Sequence, residues 1–291
     1  MKIAVYWGCC IQANQFAYEI SLRATLPKLG IELVDLSESV CCGDPVKSVN
    51  DFAADFLAVR VLAQANLTGL DNLLVPCNRC HFTLSEAQDN MKKKPQSAQK
   101  IINLLKEEGL EYNPNIKIWH TINLLHDHVG LEKIMKAAKK PFRGLKVATH
   151  VGCQLIRYGD LGRADDAENP RKLDELIEAI GAEAVDYAEK LDCCGAALMR
   201  SHPDSALSLA GSKLKAVQGL NVAGLVVSCP DCGLMFDVKQ KDAGTIVGAK
   251  FDVPVVYYTQ LLGLAMGIDS KKLGLQLNQS PAEKLLAKIS T

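Results

Sequence analysis

Two runs of this 291-residue chain share an unusual order: Ser39–Val46 reads SVCCGDPV and Leu191–Leu198 reads LDCCGAAL. Neighbouring side chains on an extended strand point to opposite faces, so two adjacent sulfurs reach one point only if the backbone turns. The glycine that follows each pair permits that turn and lets the chain pass close to a bulky object. Each pair belongs to a larger set: Cys9, Cys41, Cys42, Cys77 and Cys80 in one half, Cys153, Cys193, Cys194, Cys229 and Cys232 in the other. The interval of 34 residues from Cys42 to Cys77 recurs between Cys194 and Cys229. The leading intervals differ, 31 residues after Cys9 and 39 after Cys153, and the run GDLGRADDAENP accounts for the excess as a surface loop. The eleventh cysteine, Cys10, has Gln154 at its repeat position and reads as a small packing residue, not a ligand.

Five thiols per set bound the chemistry. Structural zinc takes four ligands in a closed tetrahedron and would leave one sulfur over in each half. A regular iron–sulfur cube also takes four, commonly in compact runs that are absent here. Five thiolates suit a cluster that has been opened, or one in which a sulfur bridges two irons. Zinc in both halves and, for CPDC alone, a thioredoxin-like dithiol stand as alternatives.

The elements that must carry these residues repeat as well. KIAVYWG is an apolar strand ending at Cys9; a helix from about Gln15 to Leu29 and the strand ELVDL lead to Cys41; a helix from Asp51 to about Leu67 and the strand NLLVP lead to Cys77. After Gly144 the order returns, with KVATHVG, KLDELIEAIGAEAVDY, a helix from about Asp204 to Val217 and GLVVS; the halves close alike, on KIWHTINLL and PVVYYTQLL. Alternating strands and helices predict parallel α/β layers, and the repeat predicts an internal duplication. The expected domains are 1–143 and 144–268, each with one cysteine set at the carboxyl ends of its strands, where open α/β sheets bind ligands. Residues 269–291 form a tail without counterpart and are a candidate partner contact.

Composition narrows the class. Thirty-three basic residues balance thirty-three acidic ones, so no net field favours nucleic acid or an anionic surface. MKKKPQSAQK, from Met91, reads as a solvated helix end or loop. No apolar run approaches a membrane span, and the opening strand is not an export signal, so the expected location is cytoplasmic. Cysteines in a reducing compartment point to metal or redox chemistry and not to structural disulfides. No GxGxxG fingerprint follows the first strand, so neither NAD nor flavin is expected on this chain.

A cysteine, then CCG, then CxxC, given twice, resembles the cysteine-rich CCG-domain family that includes the B subunit of heterodisulfide reductase; VPCNRCHFTLSEA, THVGCQLI, LDCCGA and VSCPDCGLMFDV carry the likeness, which extends to about Gly267. The resemblance implies two Rossmann-like halves related by a pseudo-twofold axis and two non-cubane [4Fe-4S] clusters, each held by five cysteines. It implies reduction of the coenzyme M–coenzyme B disulfide to two thiols, in a complex with two further components, the ferredoxin-like iron–sulfur C subunit and the flavin-containing A subunit. Related proteins serve other sulfur substrates or 2-hydroxy acids, and a noncatalytic electron relay is a third possibility.

An anionic disulfide substrate would need fixed cations. The candidates are Arg79, inside the first CxxC, Arg157, Lys190, Arg200 and His202. His81 and His150 flank ligands and are expected to hydrogen-bond cluster sulfur or backbone. His126 and His128 fall on different helix faces and read as structural.

Overall fold

The computed structural model describes residues 1–36, 38–156, 161 and 163–289. It contains two four-stranded parallel sheets. The first uses β1 (Lys2–Val5), β2 (Glu32–Asp35), β3 (Asn72–Leu74) and β4 (Lys117–Trp119) in the order 2-1-3-4. The second uses β5 (Lys146–His150), β6 (Glu183–Val185), β7 (Leu225–Val227) and β8 (Val255–Tyr257) in the equivalent order 6-5-7-8. Registers repeat too: Ala4 pairs with Leu73 as Ala148 pairs with Leu225. The architecture is therefore the expected doubled α/β fold.

Parallel strands buried on both faces must be apolar throughout, and β7 and β8 are completely buried. Along β1 the faces divide. Ile3 and Val5 enter a core that runs into the second half, whereas Ala4 and Tyr6 enter a separate core with Ala58, Leu62, Leu73 and Leu84. The halves thus share one hydrophobic core on one side of the first sheet.

Polar contacts complete the seam. Tyr18 stacks on Tyr257 with ring centroids 4.2 Å apart and planes 3° from parallel. The Tyr18 hydroxyl donates to the Ser228 carbonyl at 3.0 Å, Ser21 and Thr259 share a hydrogen bond of 2.6 Å, and the Tyr257 hydroxyl donates to Gln15 Oε1 at 2.6 Å. All of these groups are buried, so each bond satisfies a polar atom that would otherwise be stranded.

The tail folds back on the body. The Asp237 carboxylate accepts from the backbone N–H groups of Gln279 and Ser280, and Leu273, Leu275, Ala282 and Leu285 are buried in the shared core. Gly274 lies against Ala17 and Ile20 of the first half, so the tail also braces the seam.

Candidate metal centre

All ten cysteines of the two sets follow strand carboxyl ends. Cys9 lies in the helix Gly8–Asn14 after β1, and Cys153 opens the helix Cys153–Ile156 after β5. Cys77 and Cys229 cap the helices Asn78–Lys93 and Pro230–Gly233 in extended conformation, without a side-chain capping bond. Cys80 and Cys232 sit in the first turns of those helices.

The CCG turns explain their glycine. Gly43 has φ +92° and Gly195 +86°, a region that costs a side-chain-bearing residue about 1–2 kcal/mol. A Cβ at Gly43 would lie 2.6 Å from the Ala54 carbonyl oxygen, and one at Gly195 would lie 2.4 Å from that of Ala206. Both turns thus press against the helix that follows, Asp51–Asn66 or Pro203–Gly219.

The ten sulfurs form one continuous series. Cys9 and Cys42 both neighbour Cys41, and Cys42 and Cys77 both neighbour Cys80. In the second half Cys153 and Cys194 both donate to Cys193, at 3.8 Å for Cys153, and Cys232 donates to Cys194 and Cys229. The two series meet at Cys77 and Cys229. Cys77 Sγ, Cys229 Sγ and an Asp231 carboxylate oxygen lie within 4.8 Å of one another. Cys42, Cys77, Cys80, Cys194, Cys229 and Cys232 are buried, whereas Cys9 is exposed and Cys41, Cys153 and Cys193 are partly so. Each nest therefore has a closed back and an open mouth.

Proton affinities follow these contacts. Hydrogen bonds from Cys42 and Cys9, aided by the Gly43 N–H and the positive charge of Arg200, pull the Cys41 thiol down to about 2. Cys193 is likewise held at about 2, by Cys153 and Cys194 and by the Gly195 N–H at 3.3 Å. Burial pushes Cys229 up, but donation from Cys232 and Cys77, with the backbone N–H groups of Cys232 and Asn78, leaves it well below the ordinary thiol value. Their neighbours Cys9, Cys42, Cys77, Cys153, Cys194 and Cys232 are raised above the ordinary thiol value, so in each half two thiolates are held among three thiols whose protons metal binding would release.

Several features fit a bulky inorganic group in each nest. Five sulfurs converge there with no disulfide among them. A Cβ at Gly8 would come within 3.0 Å of Cys80 Sγ, and one at Gly152 within 2.4 Å of Asn78 Nδ2 and 3.4 Å of Cys232 Sγ, so glycine lets the chain pass close to a buried sulfur in both nests. Thiolates without carboxylate neighbours at four of five positions match soft-metal binding. The exception is the junction, where Asp231 stands beside Cys77 and Cys229.

The predicted cations divide. Arg79 bridges the halves through ion pairs with Asp44 at 3.1 Å and Asp231 at 2.9 Å. Lys190 pairs with buried Asp174 at 2.6 Å. Arg200 is exposed in the turn after the second CCG, and its charge reaches Cys41 of the first half. His202 is exposed at the N-terminus of the helix Pro203–Gly219. Arg157 and part of the expected surface loop, Gly159, Asp160 and Gly162, lie outside the described residues.

His81 is buried against His120, ring to edge, and burial followed by that neighbour lowers it to about 3. His150 has a ring nitrogen within 4.8 Å of Cys194 Sγ and Cys232 Sγ. Cys10 lies outside the sulfur series and hydrogen-bonds Asp231. His126 bonds Asp127 and Glu175, both at 2.7 Å, and ties the first half to the second, while His128 packs on Trp119. Sequence reasoning missed Asp231, Asn78 and Lys213. Asn78 donates its side-chain amide to the Val151 carbonyl at 2.8 Å across the seam, and its place inside CxxC was the available signal.

The cysteine-rich domain that defines the CCG family matches twice, over residues 3–85 and 147–237. The chain belongs to the CCG cysteine-rich family. Among its CCG relatives, the B subunit of the ferredoxin/F(420)H(2)-dependent CoB-CoM heterodisulfide reductase of Methanosarcina acetivorans is 34% identical, over 99% of this chain and 97% of its own length. The 8-methylmenaquinol:fumarate reductase membrane anchor subunit of Wolinella succinogenes is 30% identical, over 98% of this chain and 99% of its own. A crystal structure of a hypothetical protein from Helicobacter pylori superposes with TM-score 0.75 at 17% identity, covering 96% of this chain. This chain spans about half the length of that protein, covering 51% of it, and the likeness is one of fold. Among the described residues, no helix is long and apolar enough to cross a membrane.

Proposed function

We propose that this chain is the catalytic subunit of a heterodisulfide reductase complex, reducing the coenzyme M–coenzyme B disulfide to two thiols. The observation that carries the reading is the junction of the two sulfur nests at Cys77 and Cys229, because it sets two equivalent ligand sets side by side. Near-full-length likeness to the B subunit of such a complex supports it.

Cys9, Cys41, Cys42, Cys77 and Cys80 would hold one non-cubane [4Fe-4S] cluster, and Cys153, Cys193, Cys194, Cys229 and Cys232 the other, one in each of the domains 1–143 and 144–268. Such clusters supply electrons one at a time, and a disulfide takes up two electrons and two protons to give two thiols. The chain's own residues do the rest. Gly43 and Gly195 turn the backbone after each cysteine pair, and Gly8 and Gly152 let it pass close to a buried sulfur of each nest. The ion pairs of Arg79 with Asp44 and Asp231 lock the first CxxC to the second, so Arg79 positions ligands. Arg200 and His202, exposed near the mouths, are the side chains we assign to the anionic ends of the substrate.

Electrons would reach the chain from the ferredoxin-like C subunit and the flavin-containing A subunit, in a cytoplasmic complex. The fumarate reductase relative supports a second reading, a CCG protein that relays electrons in a related redox complex. Iron and sulfide analysis of anaerobically purified protein, with spin resonance after adding the heterodisulfide or its thiols, separates them. About eight irons in two four-iron clusters and a thiol-dependent signal are expected. Iron without a response to either ligand favours the relay, and zinc excludes both.

A further inference from the structure

The halves differ behind their nests. At the end of β5 stands His150, whose repeat position in the first half is Tyr6; in the helix Pro203–Gly219 stands Lys213, whose repeat position is Val61. Lys213 is 1% exposed and His150 is 2% exposed. A buried lysine is rare unless it is paired, and among the described residues no carboxylate bonds this one. Its Nζ instead lies 2.9 Å from the Lys190 carbonyl oxygen and 3.1 Å from His150 Nδ1, with the Tyr187 ring 5.7 Å away.

This contact fixes the imidazole. An ammonium has three protons and no lone pair, so the nitrogen it meets must accept. Burial lowers Lys213 to about 8, which leaves it charged at neutral pH; met by that ammonium, His150 Nδ1 is the acceptor and the ring proton falls on Nε2. That nitrogen is buried and has no partner among the described residues. A buried N–H without an acceptor costs about 1–3 kcal/mol, so an acceptor is expected beside it. The side chain reaches Cys194 and Cys232 with a ring nitrogen within 4.8 Å of both sulfurs. The equivalent group of the first half is already spent: the Tyr6 hydroxyl gives its proton to the Val40 carbonyl at 2.7 Å.

We propose that Lys213 and His150 form a buried donor relay, Lys213 Nζ–H to Nδ1 and Nε2–H to the sulfur of the second nest, which makes the two clusters electronically unequal, the second being the more easily reduced. A hydrogen bond to a thiolate or sulfide, with an ammonium behind it, stabilises the more negative state. The first electron would then settle in the second nest, and the two ends of a symmetric arrangement would have fixed, different roles. His150 and Lys213 are positioning residues here, acting through the sulfurs. The inference rests on the iron–sulfur reading above.

The test is a redox titration of the full chain, followed by spin resonance, with iron analysis of each sample. His150→Tyr and Lys213→Val, singly and together, transplant the pair found in the first half, and Lys213→Met removes the ammonium while keeping its stem. The expected result is a negative shift in the midpoint of one cluster, an unchanged midpoint for the other, and undiminished iron. Unchanged midpoints, or equal shifts in both, overturn the relay while leaving the iron–sulfur reading intact. A wild-type protein without iron overturns that reading instead. Should the variants fail to fold, nitrogen NMR of histidine in the iron-free wild-type chain decides: a proton on Nε2 with Nδ1 bare supports the relay, and a proton on Nδ1, as a bond to the Lys190 carbonyl would require, overturns it.

Discussion

Cys77 and Cys229 stand at matching places in the repeat, yet their sulfurs lie within 4.8 Å of each other, at the point where the two sulfur series touch. Cys42, by contrast, bonds sulfurs of its own half, Cys41 and Cys80. Removing Cys77 should therefore be felt on both sides. In Cys42→Ser the spectrum of one cluster should vanish and the other persist, with iron falling from about eight to about four per chain. In Cys77→Ser the first cluster should vanish and the signal of the second should also change. Anaerobic iron analysis with spin resonance checks both.

The two CCG glycines should be intolerant of any side chain. Gly43→Ala and Gly195→Ala each combine a positive φ with a Cβ inside 3 Å of a helix carbonyl. Backbone strain alone costs about 1–2 kcal/mol, and the overlap adds to it. Urea unfolding should report a loss of at least about 2 kcal/mol, and metal loss confined to the altered half should accompany it.

Arg79 is the hinge pin of the ion network, with carboxylates from both halves. Arg79→Met would leave Asp44 and Asp231 mostly buried and without their cation, and breaking such a pair from one side typically costs about 3–5 kcal/mol. The Asp231 carboxyl, already raised to about 6 by burial and by the Cys229 charge, should rise further. Adding Asp231→Asn should recover part of the loss. A double-mutant cycle on thermal stability measures the coupling.

Acid should weaken the iron-free chain through its buried imidazoles. Burial lowers His120 to about 4, and burial with the His120 neighbour lowers His81 to about 3, against an unfolded value near 6.5. The unfolded chain then binds more protons than the folded one below that value, so stability falls as pH drops from about 6.5 toward 4, by up to about 1.4 kcal/mol per unit for each histidine. His120→Asn retains a side-chain acceptor for the Ile122 N–H, now met by His120 Nδ1 at 3.2 Å, and should flatten this slope. Urea midpoints at pH 7, 5.5 and 4.5 check it.

The doubling and the ligand sets were legible because cysteine is rare, its intervals are countable, and a loop such as that before Leu173 can lengthen without moving the strand ends it joins. Parallel sheets followed from the alternation of helices and strands, whereas the strand orders 2-1-3-4 and 6-5-7-8 did not. Pairings across the seam were hidden. Arg79 reads as a free cation beside a ligand, and only the packing of one half on the other brings Asp231 to it. Lys190 meets Asp174 within the second half, across the strand Glu183–Val185 that separates them in sequence. Lys213 looks in sequence like an ordinary polar residue of SKLKAVQG, because helical periodicity does not reveal that the strand face opposite carries a histidine. The tail, open in sequence as a partner contact, buries Leu273, Leu275 and Leu285 in the chain's own core and leaves Leu277 exposed.

The stacked rings of Tyr18 and Tyr257, with the buried hydroxyl bonds around them, weld the halves along a line that no side-chain rotation can loosen. A molecule gripped at both mouths must therefore match a span set in advance, as work must match a fixed-gap calliper. On the proposed reading, selection by length would need no moving jaw, and a shortened or stretched ligand would be refused by geometry alone.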